Sequence, residues 1–224
     1  MADKEKIALC LEYPIGQFGG TEILVRQLIR GLADRCEITL VSPDDEATFK
    51  NSAVAGQVAQ QIVWKPAEVS RANSERLARA LADAGVRLAH FHFGGVFGWG
   101  NRLPNQCPIL FLRRHGIAAC STVHLVVHPL DGYCGPKKPL WFKLALFPVA
   151  WLSKLQVLRR LACEIAVSQH DYKKLQSWYW PQREKFRQLY HSRLRLDAPR
   201  SLNAPRDPII LNIGHIAVDR KSVV

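Results

Sequence analysis

The chain has 224 residues, 48% of them hydrophobic, and carries 31 Lys plus Arg against 19 Asp plus Glu, a formal net charge of +12. That apolar content suffices for a large α/β domain and excludes disorder throughout. The six cysteines lie far apart without a C-x-x-C pair, which excludes a disulfide framework and predicts a reduced, cytoplasmic protein. The charged start Met-Ala-Asp-Lys-Glu-Lys lacks the apolar segment of a signal peptide. The longest apolar run, Pro139 to Leu152, is interrupted by Lys143 and Pro148 and falls short of the roughly 20 residues of a membrane-spanning helix.

Taken in chain order, Ile7 to Glu12 is a nearly continuous apolar run closed by Tyr13, Pro14 and glycines, the pattern of a strand buried on both faces. From Thr21 to Ala33, Ile23, Leu24, Leu28, Ile29 and Leu32 recur at helical spacing, with Thr21 as the expected cap and Glu22 in the first turn. Strands follow at Ile38–Val41 and Gln61–Trp64, a helix at Ser74–Ala84, and strands at Leu88–Phe93 and Cys120–His124. A long helical segment from Pro139 to Leu158 and a strand at Glu164–Val167 complete the series. This alternation predicts an α/β fold with a doubly wound, Rossmann-like parallel sheet over residues 1–196. The polar, proline-containing stretch 197–207 reads as a linker. A strand running into Gly214 then opens a second domain over 208–224.

Four constellations could carry chemistry. The glycine loop Gly16-Gln-Phe-Gly-Gly-Thr-Glu22 lies between a strand and a helix, where backbone N–H groups can meet a phosphate or a sugar; a tight turn that needs glycine explains it equally. It matches neither the phosphate-loop nor the G-x-G-x-x-G pattern, which argues against ATP hydrolysis and tight NAD binding. His90-Phe-His-Phe-Gly-Gly95 puts two histidines on one strand face. They are a metal pair, a ligand contact through His92, or packed core histidines; without a third ligand of good spacing, no metal is expected. Cys120-Ser-Thr-Val-His124 delivers His124 to a strand end, with His128 and Asp131 in the following loop. No G-x-S-x-G elbow surrounds Ser121.

The fourth is the segment 137–160, where Trp141, Phe142 and Trp151 stand among lysines. It is either an interfacial helix on an anionic membrane surface or a core helix with snorkelling lysines. Between Lys137 and Arg195 thirteen basic residues face three acids, a field that suits phosphate groups of several kinds. No nucleic-acid-binding motif accompanies it, so nucleic acid is not an expected partner.

Together, Phe18-Gly-Gly-Thr-Glu-Ile-Leu-Val-Arg-Gln-Leu-Ile-Arg-Gly-Leu32, His90-Phe-His-Phe-Gly94, Ser121-Thr-Val-His124, Ile165-Ala-Val-Ser168 and Ile210-Leu-Asn-Ile-Gly-His215 resemble family-four glycosyltransferases of the GT-B fold. The resemblance implies the N-terminal half of a two-domain, retaining enzyme that moves a sugar from a nucleotide-diphosphate sugar to a lipid-linked or polysaccharide acceptor. It implies that Gly19, Gly20, Thr21, His92 and Gly94 line the substrate cleft. His124 would face the transferred sugar, and Arg220 and Lys221 the donor diphosphate. No cofactor beyond the donor substrate is implied. Because the chain stops as the second domain opens, the alternative is a truncated, non-catalytic remnant that binds acceptor, sugar or lipid.

Overall fold

The computed structural model describes residues 4–17, 19–135 and 137–189. Seven strands form one sheet: β1 (Glu5–Leu11), β2 (Cys36–Ser42), β3 (Gln60–Val63), β4 (Leu88–Phe93), β5 (Ala118–Val123), β6 (Cys163–Ala166) and β7 (Phe186–Gln188). Their order is β3-β2-β1-β4-β5-β6-β7, and every neighbouring pair is parallel. The connecting helices are α1 (Gly20–Leu32), α2 (Glu46–Lys50), α3 (Arg71–Asp83), α4 (Ile109–Leu112), α5 (Pro129–Cys134), α6 (Leu140–Arg160) and α7 (Gln169–Trp178). This is the expected Rossmann-like, doubly wound α/β sheet. The linker 197–207 and the strand of 208–224 lie outside the described residues.

Parallel strands form from continuous apolar runs because helices cover both faces. The centre of β1 obeys this rule: Ala8, Leu9, Cys10 and Leu11 are all buried. Leu9 and Leu11 point to the face where Val25 and Ile29 of α1 pack with Ile38 and Leu40 of β2. The opposite face carries the larger core, in which Cys10, Phe91, Phe93, Val123 and Ala166 meet Leu77 of α3, Ile109 of α4, Val157 of α6 and Leu175 of α7. Strand order reverses between β1 and β4, the point at which open α/β sheets leave a crevice beyond their carboxyl ends.

Two local expectations change. The cap of α1 is Gly19, with extended backbone and no side-chain hydrogen bond, and Thr21 lies buried inside the first turn. The stretch around His128 and Asp131 is helical rather than a loop, since Pro129 starts α5 and His128 Nδ1 accepts from Leu130 N at 3.4 Å. Asp131 pairs with Lys143 at 2.5 Å, tying α5 to α6.

Helix α6 divides into two parts. Its second half is core, with Ala150, Ser153, Lys154, Leu155, Val157 and Leu158 buried. Its first half leaves Leu140, Trp141, Leu144 and Val149 exposed, Trp141 by 70%, and contains Pro148; Leu152 is exposed on the outer side of the second half. Among the described residues no helix is long and apolar enough to cross a membrane.

Candidate functional site

The site lies at the carboxyl edge of β1, β4 and β5. Register places Leu11 beside His92 and His92 beside Thr122, so the histidines of β4 share the α1 face of the sheet. One residue past the end of β5, His124 N still donates to Phe93 O at 2.9 Å, which fixes its backbone to β4. His92 Nδ1 and His124 Nε2 then share a hydrogen bond at 3.2 Å. Their rings lie nearly parallel, 26° apart, at 5.5 Å between centroids. His92 is only 1% exposed and stands behind the half-buried His124. His90, one turn of the pleat deeper, shares a hydrogen bond of 2.8 Å with Thr122 Oγ1. Burial holds its imidazole down at about 4, and therefore neutral. Among the described residues no group of three His, Cys, Asp or Glu is arranged to hold a metal ion.

The glycine loop lies beyond β1 and is pinned from the next strand. Asp44, buried in the turn after β2, accepts from Ile15 N at 2.9 Å, and its own carbonyl accepts from Gln61 Nε2 at 2.8 Å. A methyl group at Gly19 would overlap the Glu22 carboxylate, so that buried acid of the first turn of α1 would have to move aside for any larger residue there. The helix N-terminus is thus already faced by a negative group of its own chain. Gly94 answers a similar constraint at the end of β4: a methyl group there would stand 2.9 Å from the Tyr13 ring.

The Glycosyltransferase Family 4 model matches residues 18–192. The chain belongs to this family. No curated protein matches the family 4 chain at a significant level. Among solved structures it is similar to a glycosyltransferase from Rickettsia africae ESF-5, with TM-score 0.51 and 15% identity over 84% of this chain and 43% of that one. It is also similar to Anabaena Alr3699/HepE, a structure in complex with UDP-glucose, with TM-score 0.48 and 14% identity over 83% of this chain and 43% of that one. At such identities the likeness is one of fold. The match spans 43% of the length of each of these structures.

Of the residues that the sequence singles out in this family 4 chain, Gly19, Gly20, His92, Gly94 and His124 all lie on the carboxyl edge of the sheet. Thr21 is buried in the first turn of α1, and Arg220 and Lys221 fall outside the described residues. Three contributors carried no sequence signal. Asp44 acts across 29 residues on Ile15. Trp99 holds a left-handed backbone, φ 52°. Glu12, just past the end of β1, accepts a hydrogen bond from Trp99 N, 87 residues away. Burial raises the Glu12 carboxyl to about 7, against the opposing pulls of that hydrogen bond and of Arg102.

Proposed function

We propose that this chain is the acceptor-side domain of a retaining glycosyltransferase that transfers a sugar from a nucleotide-diphosphate sugar to a lipid-linked or polysaccharide acceptor. The reading is carried by the His92–His124 pair at the switch point of the sheet, in a chain matched by the family model over residues 18–192. His124 positions a hydroxyl of the transferred sugar and steadies charge as the leaving group departs, a preorganised polar role. His92 acts through it, fixing ring orientation from behind. Gly19, Gly20 and Gly94 let substrate approach the backbone, with Thr21 supporting the first turn. Arg220 and Lys221 would face the donor diphosphate, and no metal or nucleic acid enters the reaction.

The exposed stripe of α6 adds a location. Leu140, Trp141, Leu144 and Leu152 face outward behind Lys137 and Lys138, an arrangement suited to the anionic cytoplasmic face of a membrane, where lipid-linked acceptors reside. Vesicles containing phosphatidylglycerol should co-sediment the chain, and Trp141→Ser with Leu144→Ser should release most of it. Equal sedimentation of the variant sinks this location.

The activity is tested by nucleotide release from a panel of nucleotide-diphosphate sugars, with the chain supplied alone and joined to a donor-binding half from a family relative. His124→Ala should lower release by about 100-fold or more, and His92→Ala by a smaller factor. Release that is indifferent to His124 overturns the reading.

A further inference from the structure

A cavity of about 380 Å³ opens on the opposite face of the sheet edge from the histidines. Its walls include Glu12, Tyr13, Phe97, Trp99, Arg102 and Gln106, drawn from the end of β1 and the loop that joins β4 to α4. This volume lies within the range of small-molecule sites. Its polar lining residues include Glu12, Arg102 and Gln106, the Arg102 charge is close enough to pull on the Glu12 carboxyl, and Tyr13 is 44% exposed.

The carboxylate is held in a built position. Trp99 N donates to Glu12 Oε1, and that N–H is aimed by a left-handed turn running through Trp99 at φ 52° and Gly100 at φ 76°. A bulky residue at positive φ is strained and persists only where its surroundings over-determine it. Here the ring is the anchor. Fully buried, it stacks on Trp64 at 5.9 Å and meets Phe91 edge-on at 5.0 Å. Its Nε1 also donates to His92 O at 3.2 Å. Gly98 completes the seat, since a methyl group there would overlap the Glu12 carboxylate. Among the described residues no hydrogen bond is made to Glu12 Oε2, so the second oxygen keeps its accepting capacity for a ligand.

These groups select a ligand class. One acidic and one basic residue in the same wall give no net positive charge to select an anion, and a single carboxylate without further ligands does not make a metal site. An apolar ligand would strand the carboxylate and the guanidinium. A sugar ring satisfies every group: its hydroxyls donate to Glu12 and accept from Arg102 and Gln106, and a C–H face lies against Tyr13.

We propose that this cavity is a carbohydrate subsite in which Glu12 accepts hydrogen bonds from ring hydroxyls. Its identification with a sugar of the acceptor rests on the transferase reading above. The subsite lies across the sheet edge from His124, so it grips a unit of the acceptor away from the reacting hydroxyl.

The test titrates the full 224-residue chain with methyl glucoside, methyl mannoside and N-acetylglucosamine, and with the monodeoxy analogues of whichever binds, following ligand-detected NMR. Binding should weaken about tenfold or more in Glu12→Gln. Removing one ring hydroxyl should cost the parent chain a similar factor and cost Glu12→Gln little, a coupling that a purely structural Glu12 would not produce. His124→Ala should bind as the parent does. Absence of glycoside binding, equal binding by Glu12→Gln, or binding lost in His124→Ala alone overturns the subsite. Nucleotide release that depends on His124 while glycosides ignore Glu12 leaves the transferase standing and removes the subsite. Coupled glycoside binding without any release does the reverse.

Discussion

Two titratable groups, Glu12 just past the end of β1 and His90 within β4, lie on opposite faces of the sheet, and burial moves them in opposite directions. Glu12, on the α3 face, is raised to about 7; His90, on the α1 face, is lowered to about 4. In both cases the low-dielectric surroundings penalise the charged form. A third arrangement lies deeper on the α3 face. There Lys154 Nζ meets Glu164 Oε2 at 2.7 Å with both side chains 0% exposed, and Ser121 Oγ donates to the same oxygen at 3.0 Å. There the two side chains and a serine hydroxyl satisfy one another away from water. At Glu12 and His90 burial outweighs the partners present and pushes each group toward its neutral form. The sheet therefore presents a carboxyl poised near neutrality on one side and a neutral imidazole on the other.

The largest effect comes from breaking the paired case. Lys154→Met leaves Glu164 buried and uncompensated and should cost about 3–5 kcal/mol in urea unfolding, whereas Lys154→Met with Glu164→Leu should recover most of the loss. Equal losses in the single and double variants would mean that the pair is not what holds α6 to β6. Next in size are Glu12 and His90. Between the ordinary carboxyl value of 4.5 and about 7, the folded state holds a proton on Glu12 that the unfolded state has released. Its contribution is therefore complete below 4.5 and lost as pH rises through 7, by at most about 3 kcal/mol. For His90, between 6.5 and about 4, the unfolded state binds the proton and the folded state does not, so stability is lost as pH falls. The two slopes oppose each other between about 4.5 and 6.5. Glu12→Gln should leave a stability that climbs with pH up to 6.5, and His90→Gln one that declines from 4.5 to 7. Parallel profiles for the two variants would refute the comparison.

The sheet was legible in the sequence because buried parallel strands are short apolar runs, and β1, β2 and β4 are of that kind. The edge strand β7, Phe-Arg-Gln, has no such pattern, and α7 is polar enough that only Leu175 is buried along it. Both form because β6 and its neighbours offer pairing and cover. His92 and His124 were legible as candidates because they stand at strand ends. That one backs the other was not, since their hydrogen bond depends on the register of β4 against β5. Glu12 was the harder case. Its environment is made by Trp99, 87 residues away, in a conformation that residue type rarely adopts. The apolar run at the start of α6 was equally ambiguous, and the structure gives it both roles, with a core half and an exposed half.

The smallest expected effect separates strain from seating at the Glu12 loop. Gly100 and Gly116 both hold left-handed backbone, at φ 76° and 71°. An added methyl group would strike Val69 Cγ1 at position 100, whereas nothing lies within 4 Å at position 116. Both alanine variants bear the cost of a left-handed residue, about 1–2 kcal/mol. Gly100→Ala must in addition shift the turn that aims Trp99 N at Glu12. Its melting temperature should fall further than that of Gly116→Ala, and the pH at which Glu12 titrates should move in Gly100→Ala alone. The His90 slope should be unchanged in both, because its partner Thr122 is on β5, away from the loop. If Gly116→Ala displaces the Glu12 titration as much as Gly100→Ala does, the left-handed turn is not what seats the carboxylate. The contrast between the two faces of the sheet would then come from bulk burial alone.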